Sequence, residues 1–206
     1  MPDQKAITVY HEAGHAIIAH IYGAKVTGMH IERECVPNGW QGWNGGTDIV
    51  WKDLSHAQEV AIAVAGPLAE AKYLAGSPVK FDQSDEMRSF AYEACNWTDE
   101  RDAIAWEVRF GNGITATVEF RPEDLKVMRI VSGVTCEELV DVLRDIRHLL
   151  DNEDCWAAVV SLADQCLTQK VVPVEQVRVG EEILLSIVAH KFRKANAEAA
   201  ALVGTG

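Results

Sequence analysis

Asp3-Gln4-Lys5-Ala6-Ile7-Thr8-Val9-Tyr10-His11-Glu12-Ala13-Gly14-His15-Ala16-Ile17-Ile18-Ala19-His20-Ile21-Tyr22 decides the reading of this chain. Ile7, Tyr10, Ile17, Ile18 and Ile21 recur at helical spacing, and Gly23 follows as a C-terminal cap, so residues 3–22 are expected to form one helix. Within it lies H-E-x-x-H, residues 11–15. Side chains four apart share a helix face, one turn displaced, so His11 and His15 can aim their imidazoles at one ion. Glu12 stands about 100° around the helix from His11, beside that ion rather than on it. Neutral imidazoles suit Zn²⁺. Zinc brings the pKa of a bound water to about 7, and a carboxylate in the position of Glu12 can accept its proton as general base. The pattern therefore points to a zinc-dependent metallopeptidase, of the endopeptidase kind. A plain surface helix carrying two histidines is the bland competitor; the coincidence of motif and amphipathic helix argues against it.

Working outward, residues 25–34 alternate apolar and polar and predict a strand. A loop rich in Gly, Asn and Trp is expected over 37–46, then a short strand over 47–51. Residues 46–51 are the candidate edge on which a substrate backbone could pair, and Trp40 and Trp43 are candidate lining for a side-chain pocket. Ser55 and Gln58 form a capping-box signature for a helix ending near Gly76, in which Pro67 predicts a kink or a break. A further helix is expected over 84–96. Beyond it Pro122 suits a first helical position and Thr135 with Glu138 makes another capping box, while 152–169 and 174–194 look like amphipathic helices. The expected fold is mainly α, a helical zinc-peptidase domain with a small β-sheet near the N-terminus. It is read as a single domain over 1–206, with 97–206 as a candidate helical subdomain.

Composition narrows the function. The 206 residues include 19 Lys and Arg against 31 Asp and Glu, a formal charge of −12, which argues against nucleic acid or an anionic membrane surface as partner. Cys35, Cys95, Cys136, Cys155 and Cys166 form no C-x-x-C pair, and no apolar leader precedes the histidines, so reduced thiols and a cytoplasmic location are expected. The apolar stretch 57–76 carries Glu59, Glu70 and Lys72 and reads as a buried helix, not a membrane insertion.

The third ligand is not fixed by spacing. A metzincin would need Gly at position 18 and His at position 21; Ile18 and Ile21 stand there. His20 falls on another face, and His30, His56, His148 and His190 lack ligand spacing. The downstream acids Glu59, Glu70, Asp82, Asp85 and Glu86 all compete.

Four segments in order resemble the FtsH-type peptidase domain, the proteolytic half of the membrane-bound ATP-dependent AAA proteases. They are residues 8–19, Gly45-Gly46-Thr47-Asp48-Ile49-Val50, Ala65-Gly66-Pro67-Leu68-Ala69-Glu70 with its continuation to Gly76, and Ser84-Asp85. The likeness covers 6–95, is weak over 96–150, and returns over 152–178 through Trp156, Leu162-Ala163 and Val174-Glu175-Gln176-Val177. It implies Asp85 as the third zinc ligand, with Glu70 either orienting a ligand histidine or serving as the alternative ligand. It also implies ring assembly as a homo-oligomer. No Walker A motif and no transmembrane segment accompany it, so the expected activity is ATP-independent unless a separate ATPase partner supplies the motor. Substrates would be proteins or peptides. The alternative class is a zinc-stabilised regulatory or binding protein without turnover.

Overall fold

The computed structural model describes residues 3–35, 41–76, 91–92, 94–95, 104–109, 115–120, 124–125, 135–168 and 176–180. It is mainly helical. The first helix, α1, spans Gln4–Ile21, starting at Asp3, whose carboxylate accepts from the Lys5 amide at 3.1 Å. All of its residues from Ala6 to Ala19 are buried except His15, which keeps a small exposure. A helix buried on nearly every face must run through the centre of its domain. It does: a sheet covers one side and helices cover the others.

β1 (Lys25–Cys35) pairs antiparallel with β2 (Gln41–Val50), placing Met29 opposite Thr47, His30 opposite Gly46 and Ile31 opposite Gly45. Met29 and Ile31 are wholly buried, so Thr47 and Gly45, their cross-strand partners, share the sheet face turned to α1. β2 begins earlier than expected. Residues 41–46 were expected to be loop, yet they are strand, because the β1 ladder supplies partners for a run whose Asn and Gly residues have little strand preference of their own.

α2 (His56–Ala75) opens on the Ser55–Gln58 capping box and ends on Gly76 in the left-handed conformation. It runs unbroken past Pro67, so the expected break is absent. α1 and α2 pack along their length.

The remainder departs from the all-helical expectation. β3 (Ile104–Arg109) and β4 (Thr115–Phe120) form a two-stranded antiparallel sheet, with the fully buried Phe120 at its end. Their Ile, Trp, Val and Thr content favours strand. α3 (Cys136–Asp151) carries the Thr135–Glu138 capping box and buries Leu139, Val140, Leu143, Ile146 and Leu150 in one stripe. Asn152 then ends α3, and its Oδ1 accepts from the Asp154 and Cys155 amides at 3.0 Å to start α4 (Glu153–Thr168). α3 packs on α2 and α4 on α1, and their buried side chains join the same core.

β5 (Gln176–Gly180) is strand where the start of the helix expected over 174–194 would fall; the rest of that segment lies outside the described residues. The strand pairs antiparallel with β1, giving the sheet order β2-β1-β5. The free edge of β1 offers a hydrogen-bond ladder to Val177 and Val179, β-branched residues that sit better in a strand. Among the described residues, no helix is long and apolar enough to cross a membrane.

Candidate metal centre

His11 and His15 face each other across one turn of α1, their Nε2 atoms 3.1 Å apart. The remaining ring nitrogens fix the tautomers. His15 Nδ1 lies 2.7 Å from the Ile62 carbonyl oxygen, which can only accept, so His15 carries its proton there. His11 Nδ1 lies 3.2 Å from Glu70 Oε2, again an acceptor. When both imidazoles are neutral, their protons are thus turned outward toward α2 and both Nε2 lone pairs turn inward.

Asp124 closes the cluster. Its Oδ1 is 3.3 Å from His15 Nε2 and its Oδ2 is 3.6 Å from His11 Nε2. One ligand atom from each of the three residues falls within 4.8 Å of the others, and among the described residues this is the one such group. Side-chain exposures of 2% for His11, 12% for His15 and 9% for Asp124 leave little water to separate them. Three converging acceptors in a dry site repel one another unless a cation sits among them.

Two cations can serve: a metal ion or a proton. Burial opposes charge on His11, but the Asp124 carboxylate outweighs it, helped by Glu70 and Glu12, and the imidazole is pushed up to about 10. Burial likewise opposes charge on Asp124, and the two imidazoles still hold its carboxyl well below the usual range. Folded metal-free protein holds the His11 proton more tightly than the unfolded chain, whose value is 6.5. Its stabilisation is therefore complete below that value and is lost as pH rises through about 10. The Asp124 contribution is present above its ordinary value of 3.8 and is lost in acid. With chelator present, the melting temperature should fall between about pH 7 and about pH 10. A bound metal replaces the proton, so the gap between metal-loaded and metal-free melting temperatures should widen over the same window. A gap constant with pH would contradict the tautomers above.

Glycine makes room for this arrangement at two points. A Cβ on Gly66 of α2 would lie 2.3 Å from His15 Nε2 and 2.8 Å from His11 Nε2. A Cβ on Gly45 of β2 would lie 2.5 Å from Glu12 Cγ. Helix and strand can close on the H-E-x-x-H face only because neither position bears a side chain.

Glu12 is buried beside the cluster, its Oε2 2.9 Å from Thr47 Oγ1. Glu70 touches His11 through Nδ1 and lies outside the converging group. Asp85, Asp82, Glu86, His190 and Trp40 lie outside the described residues. Glu59, His20, His30, His56 and His148 take no part in the cluster. Trp43 is partly buried on the core, with Lys5 and Arg33 over its ring at 5.4 and 5.8 Å. Tyr10 packs as expected, stacked on Tyr73 at 4.1 Å between centroids.

Asp124 was missed from the sequence because no spacing rule connects it to His15. The faint signal was Pro122, a helix-start residue, with an acid two positions on, where a carboxylate suits a first turn. No protein-family model matches the chain, and no curated protein matches it.

Proposed function

We propose that this chain is a zinc-dependent metallopeptidase in which His11, His15 and Asp124 hold the ion and Glu12 is the general base. The convergence of three acceptors whose protons point away carries this reading. Ligand bonds to zinc of about 2.0–2.2 Å in a tetrahedron imply ligand–ligand edges of about 3.3–3.6 Å. The imidazole nitrogens are 3.1 Å apart, and each lies 3.3 or 3.6 Å from one oxygen of Asp124, so one atom from each residue falls within 4.8 Å of the others. Among the described residues three ligands converge, which leaves a fourth position for water or substrate, as in a catalytic zinc site.

When bound, zinc supplies a Lewis acid that acidifies a water and polarises a carbonyl. The chain's own groups do the rest. Glu70 and the Ile62 carbonyl orient the imidazoles, which keeps Nε2 available as ligand. Glu12 accepts the proton and can deliver it to the leaving amine. β2 is an edge of the described sheet, next to Glu12, so an extended peptide can pair with it and present its carbonyl. The resemblance to FtsH-type peptidase domains supports the same chemistry and favours unfolded chains or loops as substrates.

The test is metal analysis and a peptide-library cleavage assay, with and without chelator. Asp124→Ala should lower zinc affinity by about a hundredfold or more and abolish cleavage, as removal of one of three ligands requires. Asp85→Ala beside it decides between the two acids: full loss of zinc in Asp85→Ala with none in Asp124→Ala would return the ligand role to Asp85. Chelator-induced unfolding with no cleavage by the zinc-loaded protein would favour the regulatory or binding alternative.

A further inference from the structure

Thr47 reaches Glu12 twice. Its Oγ1 lies 2.9 Å from Oε2 of the carboxylate and 3.0 Å from the Glu12 carbonyl oxygen. A hydroxyl has one proton, so it donates to one of these acceptors at a time. The carbonyl belongs to the α1 ladder and has a helical partner already; the carboxylate oxygen is the acceptor that gains most from the proton.

The strand around Thr47 is shaped for this contact. Gly45 lies two residues earlier on the same inward face, and a Cβ there would fall 2.5 Å from Glu12 Cγ and 2.8 Å from its Oε1. The carboxylate is thus bracketed from β2, with Gly45 leaving space for one oxygen and Thr47 bonding the other. The β1–β2 ladder itself asks only for a residue that fits a pleated strand opposite Met29, and Val would serve that purpose equally. The hydroxyl is surplus to the fold.

We propose that Thr47 is a positioning residue for Glu12, its hydroxyl fixing the orientation of the carboxylate from the edge strand. This inference rests on the peptidase reading and deepens it. It couples the strand on which a substrate would pair to the group that must move the proton, since Thr47 belongs to β2 and bonds the Glu12 carboxylate of α1. A peptide in register with β2 is thereby in register with the base. Geometry of this kind matters to turnover more than to binding, because a misplaced base weakens the proton transfer and leaves the pairing surface intact.

The full-length Thr47→Val and Thr47→Ser proteins test this, with Glu12→Gln as reference. Thr47→Val should lower kcat by about tenfold to a hundredfold, with KM within about twofold and zinc content unchanged. Thr47→Ser, which keeps the hydroxyl, should recover kcat to within about threefold of the parent. A second readout is the ¹³C carboxyl resonance of Glu12 in zinc-free protein, identified by its loss in Glu12→Gln. It should move in Thr47→Val and stay in place in Thr47→Ser. An unchanged kcat and an unmoved Glu12 resonance in Thr47→Val would overturn the inference, as would Thr47→Ser behaving like Thr47→Val. Absence of chelator-sensitive cleavage by the parent protein overturns the peptidase reading instead, and the resonance then decides alone whether Thr47 holds that carboxylate.

Discussion

Replacing Glu12 by Gln should lower peptide hydrolysis about 10³-fold while zinc stays bound at full stoichiometry. The two halves of that result have different causes. Zinc is retained because the ligand atoms belong to His11, His15 and Asp124, and Glu12 is not in that group. Hydrolysis is lost because an amide cannot accept the proton a carboxylate accepts, and no other unassigned carboxylate of the described residues joins the group. The substitution is close to isosteric, and Gln retains an oxygen that can accept from Thr47, so the fold should tolerate it. Measured kcat with metal content by emission spectroscopy gives the answer directly. Parent-like turnover in Glu12→Gln would remove the general base from the mechanism; loss of zinc would make Glu12 a ligand.

Gly66→Ala should weaken zinc binding by about a hundredfold, through one added methyl group. On an isolated helix the same change is favourable by about 1 kcal/mol, since Ala is the better helix former. Here the new Cβ would lie 2.3 Å from His15 Nε2, 2.5 Å from its Cε1 and 2.8 Å from His11 Nε2. Those distances are well inside contact, so something must move. The rings are not free to yield, because the Ile62 carbonyl and the Glu70 carboxylate hold them from behind. Either α2 backs away from α1 or the two Nε2 atoms spread, and both outcomes spoil the ligand spacing. Overpacking of this kind costs about 1–3 kcal/mol, enough to cancel the gain in helix propensity. Competition with a chromophoric chelator measures the affinity, and a thermal melt of the zinc-free protein separates the metal effect from stability. Parent-like zinc affinity in Gly66→Ala would mean that α2 does not press on the imidazoles.

Both experiments depend on contacts between residues 35 or more positions apart, and they mark where local reading stops. α1 was legible because its signals are local: periodic apolar residues and a closing glycine at position 23. The capping boxes at Ser55–Gln58 and Thr135–Glu138 are likewise closed within three residues, and both helices start where those boxes put them. By the same logic the helical repeat alone stacked His11 over His15. The loop expected at 41–46 and the helical start expected at 176–180 failed for one shared reason. Both runs have weak or ambiguous preferences, and both are strand through pairing with the two edges of β1. A ladder partner is a tertiary fact.

The same division runs through the candidate site. Sequence alone determined the two imidazoles, the neighbouring carboxylate and the helix that carries them, since residues one and four apart on a helix have their relative positions dictated by 3.6 residues per turn. Only the tertiary structure decided that Asp124 meets them, that Glu70 sits behind His11 and that Thr47 grips Glu12. Those partners come from other elements, brought to α1 by burial of apolar surface, and no periodicity within the chain encodes which acid or hydroxyl will stand opposite a given turn.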